Sequence, residues 1–211
     1  MKIRPERLAR MRQVLNQRLG WVRVAVEAVH HRHNVSAILR TCDSMGLQHV
    51  HLVEGHFVPA KGAARGSDRW LTLHREPDAT TAIHTLRDQG FAVWVADLAE
   101  ESESPETLPL DRPVCIWMGA ELEGVSDEAR AGADGVLTIP MRGFAQSLNV
   151  SVASALAIRP IAERARELHG EQALLPQSQR DILWERWMER ERQMRMGIEA
   201  RNALKMPPTD G

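Results

Sequence analysis

The stretch Val114-Cys115-Ile116-Trp117-Met118-Gly119-Ala120-Glu121-Leu122-Glu123-Gly124-Val125-Ser126 decides the fold. It opens as an apolar strand, turns at Gly119 and Ala120, and reaches Ser126, where a short helix to residue 131 begins. The same strand-then-helix order recurs along the chain. Residues 21–29 read as a first strand, because β-branched residues recur there with a period near two. A helix follows from Asn34, a good N-cap, to Met45, with Gly46 as its stop. Further strands are predicted at 50–53, 70–74, 91–96 and 136–139, and a further helix at 78–88. Strands alternating with helices argue for an α/β fold, a mostly parallel sheet with helices on both faces and the site at the carboxyl ends of the strands.

The ends of the chain read as helical. Leu8, Met11, Leu15 and Leu19 sit at helical spacing, giving an amphipathic helix over 6–19 that ends at Gly20. From Ser147 a helix of small and apolar residues runs to Arg159-Pro160, where proline kinks or ends it. Residues 177–205 form an Arg-rich helix with Leu183, Trp184, Trp187 and Met188 on one stripe, and 206–211 form a frayed tail. The expected organisation is a core over 21–159, with an N-terminal basic extension over 1–20 and a C-terminal extension over 160–211. A length of 211 residues suits one domain of this size with appendages better than a two-domain enzyme.

Composition narrows the function classes. No apolar stretch approaches the roughly 20 residues of a membrane span. The basic start of the chain is followed by no apolar run of the secretory kind, so a cytoplasmic location is expected. Cys42 and Cys115 are the only cysteines, too few for a disulfide framework and without zinc-site spacing. His30, His31 and His33 are near neighbours in a turn and read as loop histidines, so no metal is expected. The net charge of -1 hides a segregation: residues 1–20 carry +5, 21–158 carry -7 and 159–206 carry +2. Basic ends of this kind suit a polyanion such as nucleic acid, and suit a solvated helix face equally well.

Three clusters could carry chemistry. The first runs from His33 to Asp43, where Ser36 and Arg40 share a helix face and Asn34 stands at the mouth. The second is Gly119-Ala120-Glu121 with Gly124. It is neither G-x-G-x-x-G nor a Walker loop with its lysine, so nicotinamide or ATP chemistry is disfavoured. A Gly-Ala turn beside an acid suits a ligand held through backbone groups and carrying positive charge. The third is Ile139-Pro140-Met141, followed by Gln146-Ser147-Leu148-Asn149-Val150-Ser151-Val152-Ala153, where Ser147 can cap the helix. Each alone reads as a capped helix or tight turn more readily than as a site.

Together, in this order and wording, the three stretches resemble the sequence motifs of the SPOUT RNA 2′-O-methyltransferases, and among them the tRNA guanosine-18 (TrmH) family. The resemblance covers about residues 5–160 and includes Gly66-Ser67 and Trp70. It implies a deep trefoil knot at the carboxyl end of the core, S-adenosylmethionine held within it, a homodimer, and tRNA as substrate. By motif it assigns the cofactor pocket to Ala96, Asp97, Leu98, Gly119, Ala120, Glu121, Ile139, Met141, Ser147 and Leu148. It assigns catalysis to Arg40, with Asn34 and Asn149 holding it and the substrate. RNA contacts are expected from Arg4, Arg7, Arg10, Arg12, Arg32 and Arg40, while the role of the C-terminal extension stays open. An arginine side chain keeps its proton, so Arg40 is expected to bind phosphate and stabilise developing alkoxide charge. Leu122 stands where many relatives carry a basic residue, and His31-Arg32-His33 where Lys-Pro-His is common. The same chemistry on another tRNA or rRNA nucleotide, and a non-catalytic RNA-binding protein, are the alternatives. The intact Arg40, Glu121, Ser147 and Asn149 argue against the second.

Overall fold

The computed structural model describes residues 3–29, 31–54, 66–120 and 123–203. The elements in chain order are α1 (Pro5–Asn16), β1 (Val22–Glu27), α2 (Arg32–Ser44), β2 (His49–Val53), β3 (Thr72–Glu76), α3 (Ala79–Asp88) and β4 (Ala92–Ala96). They continue with β5 (Val114–Met118), α4 (Asp127–Gly132), β6 (Gly135–Leu137), α5 (Val150–His169) and α6 (Gln177–Ala203). Two compact units result, one of residues 18–175 and one of residues 1–17 with 176–211. The expected frayed tail and the side chain of Lys2 lie outside the described residues.

The first unit is a six-stranded sheet in the order β3-β2-β1-β5-β4-β6, with every pair parallel. Strand β5 lies at the centre and is buried along its whole length. Its residues Val114–Met118 pair with Val22–Val26 on one side and Ala92–Ala96 on the other. An apolar run without polar alternation is what a strand covered on both faces requires. Val24, Val26, Ile116 and Met118 point to one face, into a core with Ile38 and Leu39 of α2 and Ile158 and Ile161 of α5. Ala25, Cys115 and Trp117 point to the other, with Ile83 and Leu86 of α3 and Ala129 of α4. Cys42 is buried in the first core, where desolvation pushes its thiol pKa upward, so it packs as a small hydrophobe.

Several boundaries differ from the sequence expectation. Helix α1 stops at Asn16, not near Gly20, because the next residues are committed to the sheet unit. Arg18 is fully buried there. Its Nη2 meets Asp43 Oδ1 at 2.5 Å and its Nη1 donates to the Leu47 carbonyl at 2.8 Å, so it does not belong to the surface charge of the basic N-terminus. Leu19 bridges to Leu47 and Leu174, and the Gly20 N–H donates to the Ala173 carbonyl. Strand β3 begins two residues later than expected, since Trp70 closes a 3-10 turn over Ser67–Arg69. Strand β6 ends at Leu137, which leaves Ile139 in the loop beyond it.

Helix α5 runs through Pro160 to His169, so the expected core boundary at 159 falls inside a helix. Pro160 cannot donate to the carbonyl of Leu156, but Leu156 is 49% exposed, where a missing helical bond costs least. The stretch that follows returns to β1's entrance: the Leu175 N–H donates to the Arg18 carbonyl and the His169 ring stacks on Trp21 at 4.0 Å.

In the second unit α1 packs on α6. Met11, Leu15, Leu183 and Trp187 are its buried apolar residues, and Glu191, also buried, takes Arg7 at 3.1 Å and Arg195 at 3.2 Å.

Replacing Arg18 by alanine strands the Asp43 carboxylate and leaves a void at the entrance to β1. Asp43 keeps some contact with water, so the expected loss is about 3 kcal/mol, the lower end for breaking a buried pair. Urea unfolding of Arg18→Ala against wild type measures it.

Candidate functional site

Because all six strands are parallel, the loops leaving β4, β5 and β6 start at one edge of the sheet. Between them lies a cavity of about 570 Å³, the size of a cofactor site. Ala96, Asp97 and Leu98 line it from the exit of β4, and Gly119 and Ala120 from the exit of β5. Ile139 and Met141 line it beyond β6, and Ser147 and Leu148 just before α5. These are nine of the ten residues expected in the cofactor pocket; the tenth, Glu121, lies outside the described residues, as does Leu122.

The loop after β5 is shaped by backbone contacts. The Ala120 N–H donates to the Gly124 carbonyl at 2.8 Å, and the Gly124 N–H donates back at 3.1 Å. A Cβ on Gly119 would stand 2.3 Å from the Gly124 carbonyl, so only glycine allows the turn to close this tightly. Gly124 itself has φ of +73°, in the left-handed region. Glu27, at the end of β1 and 2% exposed, holds the far end of this loop. Its Oε2 accepts from Trp117 Nε1 at 2.8 Å and from the Ser126 N–H at 3.2 Å. Ser126 then caps α4, its Oγ accepting from the Ala129 N–H.

The loop after β4 is tied to the exit of β6. The Asp97 N–H donates to the Leu137 carbonyl at 3.1 Å, and Thr138 Oγ1 donates to the Asp97 carbonyl at 2.6 Å. The Asp97 carboxylate accepts from the Leu98 N–H at 2.7 Å and pairs with Arg130. Arg130 also lines the cavity and is the only cation among the described lining residues. With that charge matched by Asp97, the wall offers apolar side chains, backbone groups and carboxylates, and no free cation for a phosphate.

The first and third motifs meet at one hydrogen bond. Asn149 Nδ2 donates to Asn34 Oδ1 at 3.2 Å, across 115 positions of sequence. This explains two departures from the sequence reading. Helix α2 starts at Arg32 with His31 at the N-cap, and Asn34 lies in its first turn, its side chain used on Asn149. Helix α5 is capped by Asn149, not Ser147: Asn149 Oδ1 accepts from the Ser151 N–H at 2.9 Å and from Ser151 Oγ at 2.6 Å. Asn149 lines the cavity, and Asn34 is bonded to it from behind the lining.

Arg40 is not brought to the cavity wall. It is exposed on α2 and makes no hydrogen bond or ion pair with the described residues, while Asp43, one turn on, is taken by Arg18. Ser36, on the same helix face by spacing, is fully buried. Arg32 is exposed at the first residue of α2. Of the other arginines expected to meet RNA, Arg4 is exposed at the N-cap position of α1, and Arg10 is exposed with one bond to Gln13. Arg7 pairs with Glu191, and the Arg12 guanidinium lies 4.1 Å from the centre of the Trp184 ring, so both also join α1 to α6. The sequence reading missed Glu27 and Arg130. An acid ending an otherwise apolar strand is a signal for Glu27; nothing local singles out Arg130.

The fold is found in known proteins. Residues 21–159 match the model of the SpoU rRNA methylase family. The chain is 40% identical over 154 residues to the tRNA (guanosine(18)-2′-O)-methyltransferase of Thermus thermophilus, covering 72% of this chain and 79% of that protein. It superposes on the TrmH/SpoU tRNA modifying enzyme of A. aeolicus with a TM-score of 0.80 at 30% identity, over 88% of this chain and 96% of that one. The AdoMet-bound rRNA methyltransferase of Sinorhizobium meliloti superposes with a TM-score of 0.62 at 28% identity, over 71% and 59% of the two chains. The family match spans the sheet from β1 to the first half of α5 and contains every residue of the cavity wall. The chain belongs to the SpoU rRNA methylase family.

Proposed function

We propose that this protein transfers a methyl group from S-adenosylmethionine to the ribose 2′-hydroxyl of guanosine 18 in the D-loop of tRNA. The observation that carries the reading is the convergence of three separate loops on one cavity whose lining includes nine of the ten residues expected around the cofactor. The relative with the same named activity covers most of this chain, which favours tRNA over ribosomal RNA as the substrate. Among the described residues no helix is long and apolar enough to cross a membrane, and a tRNA substrate would place the protein in the cytoplasm. The knot implied by the resemblance belongs to the same reading, since the loops at 96–98, 119–124 and 138–149 are the segments it would tie together.

The lining fits the cofactor. Ile139, Met141 and Leu137 give apolar walls for a base, and the buried backbone of Gly119 gives hydrogen-bonding groups at a site with no phosphate to hold. Glu123 adds a carboxylate to a wall that carries no unmatched positive charge. When bound, the cofactor supplies a methyl group on a sulfonium, already activated for transfer. The protein then has to hold the ribose hydroxyl in line and stabilise the charge that develops on it.

Arg40 suits that second task. It is exposed and unpaired among the described residues, so its guanidinium is available to an incoming phosphate and to an oxygen losing its proton. Asn149, oriented by Asn34 and by its own cap on α5, presents an amide at the cavity itself. A homodimer is part of the proposal. Val152 and Leu156, four apart on α5, are 46% and 49% exposed, and Leu148 just before the helix is 37% exposed, an apolar surface that a second copy would cover. Leu148 also lines the cavity, so the covered surface would run to its mouth. Such a dimer is the arrangement in which Arg40, absent from its own chain's cavity wall, serves the reaction.

Three experiments test the reading. Tritium transfer from labelled S-adenosylmethionine into total tRNA, with the modified nucleotide mapped by resistance to alkaline hydrolysis, is expected to give 2′-O-methylguanosine at position 18. The Arg40→Ala variant is expected to lose about 10²–10³-fold in rate while binding the cofactor normally. Label at another nucleotide would change the substrate, and no label would leave a binding protein. Gly119→Ala is expected to weaken S-adenosylmethionine binding at least tenfold by calorimetry, because the turn must open. Leu156→Glu is expected to shift the protein from dimer to monomer in light scattering behind size exclusion, and a variant that stays dimeric would move the interface elsewhere.

A further inference from the structure

Far from the cavity loops, at the β3 edge of the sheet, a second cluster of side chains faces the layer of α3. The alternation of β2 puts His49 and His51 on that face, and the alternation of β3 puts His74 and Glu76 there. The register pairs His51 directly with His74, two position pairs before Val53 and Glu76. The His51 and His74 rings lie 4.4 Å apart and nearly parallel, at 13°. His51 Nδ1 stands 2.9 Å from Glu76 Oε1. One donor atom from each of His51, His74 and Glu76 falls within 4.8 Å of the other two.

We propose that His51, His74 and Glu76 form a zinc-binding site that clips the edge strand β3 to β2. Two imidazoles and a carboxylate are a donor set that zinc takes at about 2.0–2.2 Å, which in a tetrahedral site separates donors by about 3.3 Å. His51 Nδ1 and Glu76 Oε1, 2.9 Å apart, would part by about 0.4 Å, and a donor separation of up to 4.8 Å would close by about 1.5 Å at most. Nitrogen donors disfavour calcium and magnesium, and the absence of sulfur from the cluster disfavours copper(I). The outer contacts are those a ligating histidine uses. His49 Nδ1 lies 2.9 Å from His74 Nε2 and fixes that ring from behind. On the far side of His51, Arg23 donates to Gln89 Oε1 at 2.6 Å and stacks over Phe91 at 4.1 Å. Arg23 Nη1 also approaches His51 Nε2 at 3.5 Å, and because a guanidinium only donates, that contact leaves the ring proton on Nδ1 towards Glu76, where a bound ion would take its place. His51 is buried. His74 and Glu76 are half-buried on the edge strand, which gives an ion a way in from solvent.

The sequence expectation of no metal rests on the cysteine count and on the histidines near residue 31. The histidines of this cluster are separated by more than twenty positions, and only the β2–β3 register joins them. The site uses no residue of the methyl-transfer cavity, so its test is independent of the proposed activity.

Full-length protein stripped with a chelator and titrated with zinc chloride is expected to bind one equivalent by calorimetry and to gain several degrees in Tm. His74→Gln and Glu76→Gln, both at half-buried edge positions, are each expected to weaken zinc at least tenfold and to remove the gain in Tm. A His31→Gln/His33→Gln double variant is expected to keep both. Cobalt(II) in place of zinc is expected to show the visible bands of a four-coordinate nitrogen and oxygen site, lost in His74→Gln. Failure of the wild type to take up an equivalent of zinc would overturn the proposal, and so would equal binding by the His74→Gln and Glu76→Gln variants.

Discussion

The molecule is organised by the flush pairing of β5 with both of its neighbours. Val114–Met118 is matched residue for residue to Val22–Val26 on one side and Ala92–Ala96 on the other. Met118 therefore lies beside both Val26 and Ala96, and the chain leaves β5 at the same level at which it leaves β4. A one-residue slip would move Trp117 and Cys115 into the core of α2 and α5, and Ile116 and Met118 out of it. Burial on both faces forbids that slip, so the same packing that stabilises the sheet also fixes where Gly119 begins its turn.

Residues that never touch the cavity hold its wall in place. Glu27 is the clearest of them: a buried carboxylate takes the Trp117 indole and the first N–H before α4 on one oxygen. That oxygen ties the exit of β1, the middle of β5 and the start of α4 to one another. Thr138 does the same for the exits of β4 and β6, through a backbone carbonyl. Asn34 does it for α2 and α5. Each device joins two loops that are distant in sequence, which is what a pocket assembled from three of them requires.

Much of this is legible in one dimension. An apolar strand closed by Gly119-Ala120 and followed by a capped helix reads correctly because strand burial and turn chemistry are local. The nine lining residues were likewise reached by motif, since each loop carries its own wording. Other features depend on what lies across space. Asn34 has every local property of an N-cap, yet its amide is bonded to Asn149, and that bond displaces both helix starts from their expected caps. Pro160 has the local property of a helix end, yet the core continues past it at Ile161, Ala162 and Ala165, all fully buried, and packing outweighs one missing hydrogen bond. Arg18 reads as one more basic residue in a basic tail, and only burial shows it to be a core pair.

Charge at the two ends of the chain needs the same correction before it is used as evidence for RNA binding. A count of +5 over residues 1–20 treats every arginine as available. Arg18 is buried, Arg7 is neutralised by Glu191, and Arg12 rests on Trp184. Glu191 is itself held between Arg7 and Arg195, so part of the charge of α1 and α6 is spent on joining the two helices. Counterion release counts only cations that reach phosphate, and on that measure Arg4 and Arg10 are the strongest candidates on α1. The exposed Arg32 and Arg40 stand on α2, in the unit that contains the cavity. The proposed function therefore asks affinity for the polyanion and precision at the ribose of different arginines, and the second group is the one carried by a helix packed on the sheet.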